Sequence, residues 1–226
     1  MTVFGKQIFM YTVDKFPERI KSVYLSKEID KKLFGKITRL NVPIVKLDNK
    51  KAQAMSKGGN HQGYFLEIEP IIEVPLDTKA PLVLVLYKVT DVGNIGAIVR
   101  SAYAFGVSQI VITGISAMNL GAIVRTSSGA LMDMPICIYE DSFALMNELK
   151  ISEYDILGLD MGGENIGNMK LKDTKRAIIV GSEAEGVPQK FLKKCTSVVS
   201  IPMKRKFDSL NVSVATGIIL QRIVND

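Results

Sequence analysis

Short apolar runs recur along the chain, spaced too far apart for simple hairpins. After residue 81 they fall at Leu82–Leu86, Gln109–Thr113, Ile136–Tyr139, Asp155–Leu159, Ala177–Val180 and Val198–Ile201. Continuous apolar runs separated by helix-length segments are the pattern of parallel strands covered on both faces. This part therefore reads as a doubly wound α/β sheet. Before residue 69, runs at Val23–Leu25, Ile44–Lys46 and Phe65–Ile68 alternate with Lys-rich helical stretches near 27–40 and 49–56, which predicts a small α/β domain. The stretch between, Glu69–Pro81, holds three prolines and no helical period, and reads as an interdomain linker. The expected division is 1–69, a linker at 70–81, and 82–226.

The last helical segment has a different pattern. From Ser209 to Val224, apolar residues stand at 210, 212, 214, 215, 218, 219, 220, 223 and 224, covering nearly every face. A surface helix shows one stripe. This one is expected in the core or in a subunit interface, which points to a homodimer through the C-terminal helix.

Composition narrows the class. The chain has 226 residues, 47% hydrophobic and 23% charged, as an ordinary globular protein does. No apolar run approaches the ~20 residues of a membrane span, and the first residues lack the pattern of a secretory signal. Cys137 and Cys195 are isolated and His61 is the single histidine, so neither a zinc site, a disulfide framework nor Ser-His-Asp chemistry is indicated. The expectation is a cytoplasmic protein without metal or membrane partners. Charge is uneven: residues 1–66 carry 13 Lys and Arg against 5 Asp and Glu, and the rest carry 16 against 18. A basic first third suits a polyanion such as RNA, although a solvated Lys-rich surface gives the same count.

Three segments carry candidate chemistry. The first, Asp91–Val107 (DVGNIGAIVRSAYAFGV), follows the strand at 82–86. Its glycines permit a tight turn, and Asn94 is placed to cap the following helix. It lacks GxGxxG and a following acidic residue, so it is no dinucleotide fingerprint. Arg100 interrupts an apolar, small-residue stretch, as a structural ion pair also would. The second, Ile178–Pro188 (IIVGSEAEGVP), turns at a strand's carboxyl end, where open α/β sheets bind ligands. The third, Ser200–Ile218 (SIPMKRKFDSLNVSVATGI), passes through a basic loop to Ser209 and Asn211 at a helix start. Ser-x-Asn there is ordinarily a cap. All three place polar residues at strand ends of one sheet.

In order and spacing, these segments closely resemble motifs 1, 2 and 3 of the SPOUT-class, SpoU/TrmH-type RNA 2′-O-ribose methyltransferases. Arg125–Ala130 (RTSSGA) resembles a further family stretch. The N-terminal third resembles the small ribosomal-protein-like RNA-binding domain of the branch that modifies large-subunit ribosomal RNA, through Phe4-Gly5 and Asn60-His61-Gln62-Gly63. Two departures stand out: Val92 where the family often has Pro, and Arg205 where motif 3 usually has Gly. The resemblance implies a small N-terminal α/β RNA-binding domain and a SPOUT parallel-sheet domain with a C-terminal trefoil knot, normally a homodimer. Periodicity cannot show a knot, and general experience argues against one.

The resemblance further implies S-adenosylmethionine as cofactor, contacted by Gly181, Ile201 and Leu210. It places Asn94, Arg100, Glu183, Ser209 and Asn211 in the catalytic neighbourhood, and His61, Gln62 and Arg125 in contact with RNA. A sulfonium methyl is already electrophilic, so the task is to align a ribose 2′-hydroxyl and remove its proton. Arg100 is a poor base, with a guanidinium pKa above ~12. Its better role is to clamp a phosphate and stabilise charge on the 2′-oxygen. Two other readings stay open: a transfer-RNA methyltransferase, and a non-catalytic RNA-binding or assembly protein. A nucleotide-dependent metabolic enzyme is disfavoured by the failed fingerprint.

Overall fold

The computed structural model describes residues 1–170, 174–205 and 209–225. In chain order, the first elements are β1 (Thr2–Phe4), α1 (Lys6–Lys15), β2 (Ile20–Leu25), α2 (Lys31–Thr38), β3 (Ile44–Lys46), α3 (Asn49–Ser56) and β4 (Tyr64–Ile68). There follow β5 (Leu82–Tyr87), α4 (Val92–Ala104), β6 (Gln109–Thr113), α5 (Leu120–Thr126), β7 (Ile136–Tyr139) and α6 (Ser142–Ile151). The chain continues through β8 (Asp155–Asn165), β9 (Arg176–Gly181), α7 (Gln189–Leu192), β10 (Ser197–Ser200) and α8 (Val212–Val224). It divides into two compact units: Met1–Ile71 with Asn119–Met132, and Ile72–Met118 with Asp133–Asp226.

The first unit is built on a four-stranded sheet in the order β1-β4-β2-β3. Its Lys-rich helices form because each has a cap and one apolar stripe. Asp30 accepts the Leu33 N–H to start α2, and Asp48 accepts the Lys51 N–H to start α3. In α2, Leu33 and Ile37 stand one turn apart and are both buried. The helix is shorter than the stretch 27–40 expected from its lysines, because Asp30 sets where it can begin. Helix α5 belongs to this unit too, packing on β1.

The second unit is a six-stranded sheet in the order β10-β8-β9-β5-β6-β7, and every neighbouring pair is parallel. Strands β5, β6 and β9 are buried almost end to end. This is the physical basis of their continuous apolar runs, since a fully buried Val, Leu or Ile contributes ~1.5–3 kcal/mol. From β5 the chain passes to β6 on one side, while β9 flanks it on the other. The crevice outside the carboxyl ends of β5 and β9 is thus a topological switch point, where such sheets bind ligands.

Two elements differ from their sequence reading. Strand β8 continues to Asn165, well past Leu159, and its outer half loses the apolar pattern because it is partly exposed. Strand β10 pairs with Leu157 and Gly158, then shifts to Glu164 and Asn165, with the irregularity between Val198 and Val199. Gly163 permits this, for a Cβ there would lie 2.6 Å from the Val199 backbone. Helix α8 begins at Val212 rather than Ser209, because Asn211 is the cap. Its buried side holds Val212, Ala215, Ile219 and Ile223, while Val214, Ile218 and Val224 are exposed.

The proline-rich stretch is strapped to the second unit. Val74 N–H donates to the Ile136 carbonyl, and the Gln109 side chain both accepts from Asp77 N–H and donates to the Pro75 carbonyl. Lys175 Nζ holds the Thr78 carbonyl, and the buried Tyr154 hydroxyl lies 2.7 Å from the Ala80 carbonyl and 3.1 Å from that of Asp77. Burial raises the Tyr154 phenol to about 12, so it stays a donor. Tyr154→Phe removes the phenol donor from the Ala80 carbonyl, while that of Asp77 keeps the Ala80 N–H, and is expected to cost ~1 kcal/mol. Urea denaturation will register this as a lower midpoint, and an unchanged midpoint would show that the strap contributes nothing.

Candidate active site

Helix α4 starts at Val92 because Asp91 Oδ1 accepts the Asn94 N–H at 2.7 Å. Asp91 is therefore the cap, and the sequence reading that gave this role to Asn94 is corrected. With the cap supplied from residue 91, the Asn94 amide is free to point elsewhere. It donates from Nδ2 to Glu183 Oε1 at 3.3 Å.

Glu183 sits in the turn that follows β9. The turn closes by a Gly186 N–H to Ser182 carbonyl bond of 2.8 Å, and Gly186 takes φ +62°. It folds back so tightly that a Cβ on Gly181 would fall 2.1 Å from the Gly186 carbonyl carbon. Only glycine at 181 accepts that approach.

Asn211 completes the junction. Its Oδ1 accepts the Ser213 and Val214 N–H groups, capping α8. Its Nδ2 donates to Glu183 Oε1 at 2.5 Å and to Asn94 Oδ1 at 2.9 Å. Val212 N–H adds a further bond to Glu183 Oε1 at 3.3 Å. One carboxylate oxygen thereby accepts from three donors on two segments of chain: Asn94 in the first turn of α4, and the Asn211 cap and first N–H of α8. Such charge-assisted bonds are stronger than neutral ones.

Beside the junction opens a cavity of about 350 Å³, within the ~300–1,000 Å³ usual for small-molecule sites. Its lining brings together Gly181, Glu183, Ile201, Ser209 and Leu210 with Asp160 and Met161 of the outer half of β8. Val180, Val212 and Ala215 add to a wall that is mostly apolar. Apolar walls suit a flat ring laid between them, and Asp160 and Glu183 in the lining suit cationic groups beside it; the adenine, sulfonium and ammonium of S-adenosylmethionine fit that lining. The middle of the basic loop of the third motif, residues 206–208, lies outside the described residues.

Arg100 stands apart from this junction. It is exposed on α4, and at ~100° per residue it is turned far from the face of Asn94. The structural ion pair considered for it is not formed among the described residues. The three expected RNA contacts lie in the first unit, and two of them, Arg125 and His61, share one aromatic patch. Arg125 stacks over the Phe4 ring at 4.6 Å, Phe4 meets Phe65 at 5.9 Å, and His61 stacks on Phe65 at 4.8 Å. Gln62 accepts the Lys6 N–H through Oε1. Arg125 lies some 60 residues beyond His61 in the chain, so only the packing of α5 on β1 shows that the two belong together.

Other chemistry finds little support. Burial raises the Cys195 thiol to about 11, which removes it as a thiolate nucleophile. Among the described residues there is no group of three His, Cys, Asp or Glu side chains able to hold a metal ion, and no helix long and apolar enough to cross a membrane. The residues missed in the sequence were Asp91, legible in hindsight from its spacing to Asn94, and Asp160 and Met161, for which no periodic signal existed.

Asn211→Ala removes a helix cap and is expected to cost ~1 kcal/mol. Asp141→Ala removes the equivalent cap of α6, which accepts the Phe143 and Ala144 N–H groups, and should cost the same. The methyl transfer expected from the sequence resemblance should fall only in Asn211→Ala, by about 100-fold, the scale of a misplaced site. Equal activity of the two variants at matched stability would contradict a role for the junction.

Comparison with known proteins agrees with this geometry. Residues 81–221 match the SpoU rRNA methylase family, and residues 2–73 match the RNA 2′-O ribose methyltransferase substrate-binding family. A 23S rRNA (guanosine-2′-O-)-methyltransferase from Pasteurella multocida is 30% identical over 98% of this chain and 96% of its own. An uncharacterized tRNA/rRNA methyltransferase from Mycobacterium ulcerans is 30% identical over 92% of this chain and 71% of its own. The solved SpoU methyltransferase AviRb from Streptomyces viridochromogenes, in complex with AdoMet, superposes with a TM-score of 0.80 at 20% identity, over all of this chain and 89% of that one. The second unit has the SPOUT-type fold of the trefoil-knotted structures. With both of its parts matched in order, the chain belongs to the SpoU rRNA methylase family.

Proposed function

We propose that this protein methylates the 2′-hydroxyl of a ribose in large-subunit ribosomal RNA, taking the methyl group from S-adenosylmethionine. The observation that carries the chemistry is the convergence of Asn94, Asn211 and the Val212 N–H on one Glu183 oxygen beside an apolar cavity. The ribosomal target is favoured by the match of residues 2–73 to a substrate-binding family, and by nearly full-length similarity to a relative named for 23S rRNA. A cytoplasmic protein meets that RNA directly.

The cofactor supplies an electrophilic methyl on its sulfonium. Gly181, Ile201 and Leu210 hold it through backbone and apolar contact, and Ser209 shapes the same pocket. Asn94, Glu183 and Asn211 keep the turn after β9 and the start of α8 in register, so that the ribose meets a fixed surface. Such alignment can be worth ~7–11 kcal/mol. Arg100, exposed on α4 and outside the junction, clamps the phosphate of the target nucleotide, and its charge from there favours the negative 2′-oxygen. In the first unit, His61, Gln62 and Arg125 offer stacking faces and polar edges to unpaired RNA. Exposed Val214, Ile218 and Val224 of α8 form the face of a homodimer.

Incubation with methyl-labelled S-adenosylmethionine and separate ribosomal and transfer RNA pools tests the reading. Label confined to large-subunit RNA, in alkali-resistant linkages, is the expected result. Label in transfer RNA would keep the chemistry and overturn the target, and absence of both transfer and cofactor binding would leave an RNA-binding protein. Arg100→Lys retains the charge but loses the bidentate fork, so transfer should drop by about 100-fold or more, and near-normal turnover would refute the clamp. In light scattering the protein should have twice its chain mass and Val214→Glu should be monomeric; a monomeric parent would remove the proposed interface.

A further inference from the structure

Among the described residues, six other than glycine take a positive φ: Asn41, Lys57, Gln62, Lys88, Ser128 and Glu153. Asn41, Lys57, Ser128 and Glu153 lie just past helix ends, where the left-handed conformation is ordinary. Gln62 sits in the tight turn before Gly63. Lys88 is different, because it directly follows β5 at the carboxyl end of the sheet, with φ +51°. A side chain there costs strain that glycine would avoid, and such strain collects at functional positions.

The surroundings fix Lys88 firmly. Its N–H donates to the Thr113 carbonyl at 2.9 Å. Its aliphatic stem lies against Gly114, where a Cβ would come within 2.9 Å of Lys88 Cγ. The ammonium passes the Tyr87 ring at 5.7 Å and ends 3.3 Å from Glu185 Oε2, in the same turn that carries Glu183. Both partners of this ion pair remain substantially exposed, at 43% and 61% of their side-chain surface. An exposed pair of this kind adds little to stability, so it does not by itself account for a strained lysine. What the arrangement does provide is a cation held on the turn that contributes Ser182, Glu183 and Gly186 to the cavity, and covered by an exchangeable carboxylate.

We infer that Lys88 is a phosphate-binding residue for the RNA substrate and that Glu185 occupies its ammonium until RNA arrives. This rests on the RNA methyltransferase reading above. On binding, a backbone phosphate replaces the Glu185 carboxylate on Lys88 Nζ, and Glu185 turns to solvent. The two residues then have opposite effects on RNA affinity. Lys88 contributes a contact, while Glu185 competes for it.

The experiment is fluorescence anisotropy with a labelled, mixed-sequence single-stranded RNA, using the full-length protein between 50 and 200 mM KCl. Lys88→Gly should weaken binding severalfold and reduce the slope of log affinity against log salt by about 0.7, the value of one single-strand phosphate contact. It should not lower thermal stability, because glycine relieves the positive φ. Lys88→Arg should retain the slope. Glu185→Gln should tighten binding severalfold. If the pair merely braces the turn, both variants will weaken binding together with an unchanged slope, and the inference is overturned. An unchanged affinity for Glu185→Gln overturns it as well. Failure of the parent protein to bind RNA at all would defeat the underlying reading, whereas normal parental binding with these altered outcomes defeats this inference alone.

Discussion

A single carboxylate oxygen organises the second unit's working end. Glu183 Oε1 accepts from Asn94, Asn211 and the Val212 N–H, and the two asparagines stand 117 residues apart in the chain. The sheet topology makes this possible. Placing β9 beside β5 brings the turn after one strand against the helix after the other, and α8 packs on α4 to close the third side. The tightness of the turn, enforced at Gly181 and Gly186, sets where Glu183 must stand. Asn211 serves two purposes with one amide: its oxygen caps a helix, and its nitrogen anchors the carboxylate. Stability and site geometry are coupled there, residue for residue.

The cavity inherits its character from the same construction. Its apolar walls are the ends of buried strands and the start of an apolar helix, and its carboxylates come from the places where the chain leaves the sheet. A cofactor with a flat ring and cationic groups is matched by that lining. The first unit supplies a complementary surface, in which an arginine and a histidine cover the outer faces of two phenylalanine rings. A guanidinium and an imidazole on aromatic supports are suited to phosphates and unstacked bases.

Much of this was legible in the sequence. The parallel sheet declared itself because β5, β6 and β9 are buried on both faces, and the three motifs fell on strand ends as their order implied. What stayed hidden was hidden for identifiable reasons. The outer half of β8 carries glycines and exposed side chains, so Asp160 and Met161 gave no strand signal although they line the cavity. Asn94 looked like a cap because Asx residues at helix starts usually are, yet Asp91 occupies that place and releases Asn94 for the junction. The proline-rich stretch gave no hint that Tyr154, Lys175 and Gln109 would tie it down. The exposed side of α8 was foreseen only as an absence of pattern, since a helix apolar on all faces does not say which face meets its own core.

The site acts on a ribose hydroxyl and not on a base. The most direct measurement compares methyl transfer to the mapped target RNA with transfer to the same RNA carrying a single 2′-deoxyribose at the modified position. Loss of transfer with RNA binding retained is the predicted result. Undiminished label on the deoxy substrate would mean that the methyl group goes to another atom, and the account of the site given above would be wrong.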